Sequence, residues 1–212
     1  MTITADSARP GAARAVLADL ITRPTTRGRA LALDAALVLT GVLVVSLLAR
    51  VSVPMWPVPI TGQTLGVIIV GAALGSRRGA ASLATYTAAG LAGLPVFASG
   101  GGVGYVLVPS FGFIIGFIAA AFIAGWIAER SWDRKPWFAF LGFAGASIVP
   151  FLFGVPYMAL ILTAVMGQTV SFAGVMEAGV LPFILGGVVK AAIAALLIPA
   201  AWAGVRALDA RK

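Results

Sequence analysis

Four apolar runs in this chain reach or approach the roughly 20 residues that an α-helix needs to cross a hydrocarbon core of about 30 Å. They run from Leu31 to Leu48, from Phe111 to Ile127, from Phe138 to Met166 and from Leu181 to Val205. A chain carrying such runs, joined by short connections, folds in a bilayer as one helical domain. Composition agrees: 60% of the 212 residues are hydrophobic and 10% charged, against about a quarter charged in ordinary soluble domains. An all-α, polytopic integral membrane protein is expected.

Two shorter apolar runs lie between the first and second of these. Gly62 to Leu74 and Gly79 to Leu91 are joined by GSRRG. Their brevity suggests helices that stop inside the membrane and leave a cavity above them. Ahead of them, Pro54, Pro57 and Pro59 make VPMWPVPITGQT a stiff, extended outer connection, with Trp56 placed as an interfacial anchor. The run from Phe138 to Met166 exceeds one crossing, and Pro150 and Pro156 kink it. Nothing polar divides it, so it reads as one helix. Gly167 to Gly179, with Glu177, reads as a polar outer connection.

Charge orients the bundle. Thirteen of the 15 basic residues fall on one side of a six-span arrangement; Arg50 lies on the other side and Lys190 within the membrane. Lys and Arg concentrate on cytoplasmic loops, so six helices with both termini cytoplasmic are expected, and the net charge of +8 needs no nucleic acid to explain it. Residues 1–30 mix Ala, Thr and Arg and lack the charged-then-apolar order of a signal peptide. They read as a mobile cytoplasmic arm, with a short amphipathic helix around Arg14 to Ile21. Residues 31–206 form the membrane domain and 207–212 a cytoplasmic tail. Asp34 sits within a turn of the first span's start, shallow enough to reach the headgroups.

Lys190 is the informative side chain. It lies about nine residues into the last span, roughly 13 Å down at about 1.5 Å per residue. An ionisable residue at such depth marks a functional site by default, although its long stem could carry the ammonium to an interface. No span supplies an obvious counter-ion, so an anionic or carbonyl-bearing ligand fits. Gln63, Tyr86, Tyr105 and Tyr157 could add hydrogen bonds, and each tyrosine is equally well an interfacial aromatic. Phe97 would give an apolar wall. The uncharged loop with Gly100, Gly101, Gly102 and Gly104 is either a lid beside that pocket or a flexible extracellular turn.

The chain has no cysteine or histidine, no GxxxxGK[ST] phosphate loop, no carboxylate pair and no Ser-His-Asp set. An intramembrane enzyme would have essentially one lysine to work with, and a pore would need repeated polar positions. No cofactor and no metal are expected.

The segments PITGQT (59–64), GSRRG, the Tyr86 helix, GLAGLPVFASGGGVGYVLVPSFGF and LPFILGGVVKA together resemble the BioY family, over roughly Ala35 to Leu197. BioY proteins are the biotin-specific substrate-capture (S) components of energy-coupling-factor (ECF) transporters. The resemblance implies six helices, a pocket near the outer face, and no ATPase of the chain's own. A membrane coupling protein and two ATP-binding subunits would supply energy, while the S component takes biotin from outside and topples within the bilayer to release it. Ala32 and Ala36 resemble the small-residue contact that docks the coupling protein. Lys190 matches the lysine of the family's Gly-Asp-x-x-Lys pattern, and residues Ser99 to Gly102 resemble its ligand-covering loop. Gly186-Gly187 stands where Gly-Asp is expected. A buried hydrogen bond to a charged group contributes about 1.5–3 kcal/mol, roughly ten- to a hundredfold in affinity. Either biotin binds with a changed polar set, using Gln63 or Ser99, or the ligand is another small vitamin or a relative of biotin.

Overall fold

A computed structural model of the chain describes residues 16–21 and 26–209. Eight helices follow in order: α1 (Leu17–Ile21), α2 (Arg27–Arg50), α3 (Gln63–Leu74), α4 (Ser76–Leu91), α5 (Phe111–Glu129), α6 (Pro136–Leu160), α7 (Phe172–Gly179) and α8 (Leu181–Asp209). Among the described residues four stretches are long and apolar enough to cross a membrane: Arg27–Arg50, Phe111–Glu129, Pro136–Val165 and Phe172–Ala207. The chain is therefore a membrane protein. At about 1.5 Å per residue, α3 and α4, of 12 and 16 residues, are shorter than the hydrocarbon core, as their sequences suggest.

Helix α5 is the axis of the bundle. Of its most apolar window 67% is buried, against 11% for α2, which lies on the outside. Small residues let neighbours close on α5. A Cβ added at Gly116 would sit 2.6 Å from the Cα of Pro150 on α6, and one at Gly125 would sit 2.2 Å from the backbone nitrogen of Ser76. The α3–α4 turn thus rests directly on the lower half of α5.

The end of the bundle that carries the α3–α4 turn is tied by charge. Glu129 Oε1 accepts hydrogen bonds from the backbone N–H and the hydroxyl of Ser76, both at 2.8 Å. The carboxylate thereby caps α4, whose first N–H groups have no partner within the helix. Arg78 Nε pairs with Asp34 at 2.8 Å, and the same guanidinium bonds Asp19. Asp34 is therefore held by an arginine of the bundle, where the sequence alone suggested headgroup contact. Asp133, in the turn Trp132–Arg134, is fully buried and accepts from Trp202 Nε1 at 2.7 Å.

Four expectations are corrected. Helix α2 starts at Arg27, inside the expected arm, because Thr26 Oγ1 accepts from Arg29 N at 3.4 Å and caps it there. Within that arm, Val16 and Ala18 are buried in the hydrophobic core, so this part of it is packed. Residues 1–15 and 22–25, with the Arg14 end of the expected amphipathic helix, lie outside the described residues, as do 210–212 of the tail; α8 continues through 207–209. Third, the outer connection before α3 is a small antiparallel pair, Ser52–Val53 against Ile60–Thr61. Finally, Gly167 to Gly179 is not all loop. Ser171 Oγ caps α7 at Gly174 N (3.1 Å), and Val175 and Gly179, one turn apart, are buried while Glu177 faces out. One face docks on α6 and α8, and the outer face carries Glu177 beside the exposed Phe172. The run after Pro136 is continuous to Val165, through Pro150 and Pro156 and a wider last turn at Ile161–Val165, as expected.

Candidate functional site

The cavity above α3 gathers groups from across the chain. Val58, Pro59 and Thr61 come from the outer hairpin, Gln63 and Thr64 from the start of α3, and Ala98 and Tyr105 from the glycine-rich segment. Phe113 and Phe117 of α5, Phe151 of α6, and Phe183, Gly187 and Lys190 of α8 complete it. The lining is mostly aromatic and apolar with a few polar groups among it, the pattern of small-molecule sites.

Lys190 turns inward. Its Nζ donates to the carbonyl oxygen of Thr61 at 2.6 Å and to Thr64 Oγ1 at 3.0 Å. Both acceptors are neutral, and among the described residues no carboxylate pairs with it. An ammonium has three protons, so one remains for a further acceptor in the cavity.

Behind the lysine runs a chain of uncharged hydrogen bonds. Tyr86 OH donates to Val96 O at 3.1 Å and accepts from Gln63 Nε2 at 2.7 Å. Thr61 Oγ1 donates to Gln63 Oε1 at 2.8 Å. Thr61 therefore meets Lys190 through its carbonyl and Gln63 through its hydroxyl. The sequence signal for this is the PITGQT run, whose two threonines flank Gly62-Gln63.

The glycine-rich segment is fastened down. Gly102 N donates to Gly90 O at 2.7 Å, Phe97 N to Gly100 O at 3.0 Å, and Arg50 bonds the carbonyl of Pro95. Gly100 and Gly102 adopt φ of 117° and 106°, where a side chain would be strained. Phe97 is fully buried, packed edge-on to Tyr86 at 5.3 Å and tilted against Tyr105 at 4.5 Å. Ala98 and Tyr105 of this hydrogen-bonded segment wall the cavity, so the segment lies beside the pocket.

Of the residues singled out in the sequence, Lys190, Gln63, Tyr105 and Gly187 line the cavity, and Tyr86 and Phe97 stand behind that lining. Ser99 and Gly101 are exposed, Gly102 turns the backbone, and none of the three lines the cavity. Tyr157 also lies elsewhere, its hydroxyl bonding the carbonyl of Val106. Four polar residues at the cavity were not picked out as site residues: Thr61, Thr64, Ser110 and Ser147. The Ser110 hydroxyl is buried with no hydrogen-bond partner among the described residues, and so is available to a ligand. Its setting between Pro109 and Phe111 carries no periodic signal. On α2, Ala32 and Ala36 are both exposed.

The whole membrane body of this chain has known counterparts. A family model described as "BioY family" matches residues 21–207. A "Biotin transporter BioY" of Rhizobium etli is 36% identical over 178 residues, covering 80% of this chain and 91% of the relative. A "Probable biotin transporter BioY" of Pyrococcus horikoshii is 35% identical over 165 residues, covering 77% and 93%. The crystal structure of an S-component for biotin from an ECF-type ABC transporter superposes with a TM-score of 0.63 at 23% identity, over 83% of this chain and 93% of that one. A match spanning nearly every described helix, and the helical architecture that goes with it, mean that this chain belongs to the BioY family.

Proposed function

We propose that the chain captures biotin from the outer face of the cell membrane and passes it inward as the substrate-binding subunit of an ECF transporter. The observation that carries this is the Lys190 ammonium, directed into an aromatic cavity and held by neutral acceptors only, in a chain whose relatives are named biotin transporters. The polar end of the vitamin meets Lys190, with Ser110 and Gln63 as further polar groups. Chemistry on the ligand is not part of the role; the relatives' names are those of transporters. In this reading the helices cross six times, with both termini cytoplasmic, as the basic residues suggest. A membrane coupling protein docks on the exposed Ala32–Ala36 face of α2, and two ATP-binding subunits energise the cycle.

Labelled biotin added to the purified protein tests the reading: saturable binding is expected, and its absence overturns it. Uptake by cells with and without the coupling and ATPase subunits shows whether the chain works alone. A second reading has its own observation. Gly187 stands where the family pattern has Asp, and a Cβ there would meet nothing within 4 Å, so the site has room that a relative of biotin could use. Competition by such relatives decides: one displacing labelled biotin at concentrations below those of biotin itself makes it the better ligand.

A further inference from the structure

On the outside of the bundle, α4 and α5 enclose a groove of about 480 Å³, lined by Ala80, Ile115, Ile118, Ala119, Phe122 and Ile123. Ile115, Ala119 and Phe122 follow one another at spacings of three and four along α5, and so share one face. The same line runs on, four residues at a time, to Trp126 and Arg130, both exposed. The Arg130 guanidinium lies over the Trp126 ring, 3.4 Å from its centroid, and donates to Trp126 O at 3.3 Å. An apolar track on one helix face therefore ends in an indole and a cation.

The charge at that end is one-sided. Glu129 to Lys135 reads as nearly balanced, with two carboxylates and three cations. The fold removes the balance. Glu129 is turned onto Ser76, and Asp133 is fully buried against Trp202, while Arg130 and Lys135 stay exposed. Arg77, exposed at the start of α4, lines the space beside the groove, and Phe122 lines both. Asp19 and Asp34 also line that space, but both are paired with Arg78. Among the described residues no carboxylate pairs with Arg77.

We propose that the α4–α5 groove binds an anionic phospholipid, with an acyl chain along Ile115, Ala119 and Phe122 and the headgroup phosphate at Arg130, beside Arg77. The site is independent of what binds at Lys190. Each part of such a lipid meets its own kind of group: tail against apolar side chains, the tail–headgroup boundary against an indole, which favours that depth, and negative charge against arginine. The length agrees. Ile115 and Arg130 are 15 residues apart on one helix, about 22 Å at about 1.5 Å per residue, which is one leaflet of a bilayer about 40–45 Å thick with its headgroups. A zwitterionic lipid would fill the groove equally well but would make less use of the cations.

The test uses full-length protein in a neutral detergent, titrated with phosphatidylglycerol or with phosphatidylcholine of the same acyl chains, bound lipid being counted by native mass spectrometry. Phosphatidylglycerol is expected to bind more tightly, and less so at high salt. Arg130→Gln and Arg77→Gln should each weaken it about fivefold, the fold-change of about 1 kcal/mol per basic residue near an anionic lipid, and leave phosphatidylcholine as it was. Ala119→Trp fills the groove and should weaken both lipids, whereas Leu152→Trp, 68% exposed on α6, should weaken neither. If Arg130→Gln does not fold, Arg77→Gln carries the same reading. Equal affinity for the two lipids in the wild type overturns the inference. So does a phosphatidylglycerol preference unaltered in both arginine variants, which puts the charge elsewhere, or full binding by Ala119→Trp, which takes the groove out of the site. Glycerol phosphate competing as strongly as the lipid would give the arginines to a free phosphate ester. Uptake lost in Arg130→Gln while phosphatidylglycerol binding is intact would give this face to a protein partner. Either of these overturns it too.

Discussion

The two ends of the bundle solve the problem of buried polarity in opposite ways. At the end that carries the α3–α4 turn charges meet charges or helix ends: Arg78 lies between Asp19 and Asp34, and Glu129 caps α4 through Ser76. At the other end a single cation, Lys190, is held by a carbonyl and a hydroxyl, and the groups behind it, Gln63 and Tyr86, are uncharged. A charge with a protein counter-ion is neutralised where it stands, whereas a charge held by neutral groups keeps its long-range attraction for an anion. On the proposed function, the difference separates structural polarity from polarity held for a ligand.

The largest effect is expected at Lys190. Lys190→Ala should weaken biotin binding ten- to a hundredfold, from the roughly 1.5–3 kcal/mol of a hydrogen bond to a charged group, measured by titration of purified protein. Unchanged affinity would break the contrast at once. Glu129→Ala should leave biotin affinity intact and instead cost about 0.5–2 kcal/mol of stability, as the loss of a helix cap does, visible as a lower midpoint of thermal unfolding in detergent. Arg78→Ala should cost under about 1 kcal/mol, because the paired side chains are 29% and 42–46% exposed. The cost should shrink further at high salt; a larger effect, or one on binding, would make this cluster more than a surface tie.

The smallest effect is expected from Asp133, outside the spans. Burial pushes its carboxyl up from the usual range, offset in part by the Trp202 indole and by the Arg134 charge. A carboxyl whose folded value lies above its unfolded one holds its proton more tightly when folded. Its contribution to stability is therefore present below the ordinary carboxylate range, near about pH 4, and falls as pH rises through the folded value. Asp133→Asn, which keeps an acceptor for Trp202, should flatten that slope in unfolding midpoints measured across acidic pH.

What could be read in advance differs between the same two ends. Lys190 was conspicuous because a charge within an apolar run has no bland explanation of comparable weight. Gln63 was the main polar side chain of its short helix, and it does reach the cavity. Ser99, Gly101 and Gly102 looked like a ligand-covering loop, yet their glycines serve the turn and its close packing. Thr61, Thr64 and Ser110 passed unnoticed as site residues because a hydroxyl at a helix start is as often a local cap as a contact. Helix α7 was read as loop because it is only 8 residues long, with glycines and Glu177 among them, and its buried pair Val175 and Gly179 is a weak signal.

The amino-acid order alone determined that the chain enters a membrane, roughly where its long helices run, and that one lysine is out of place among them. These follow from local quantities: the length of an apolar run and the cost of a charge within it. Only the tertiary structure decided what that lysine touches, because Thr61 lies 129 residues away and their meeting depends on α8 packing beside α3. It alone decided, too, that Tyr157 lies outside the cavity and that α4 and α5 enclose a groove, since the space between two helices belongs to neither sequence.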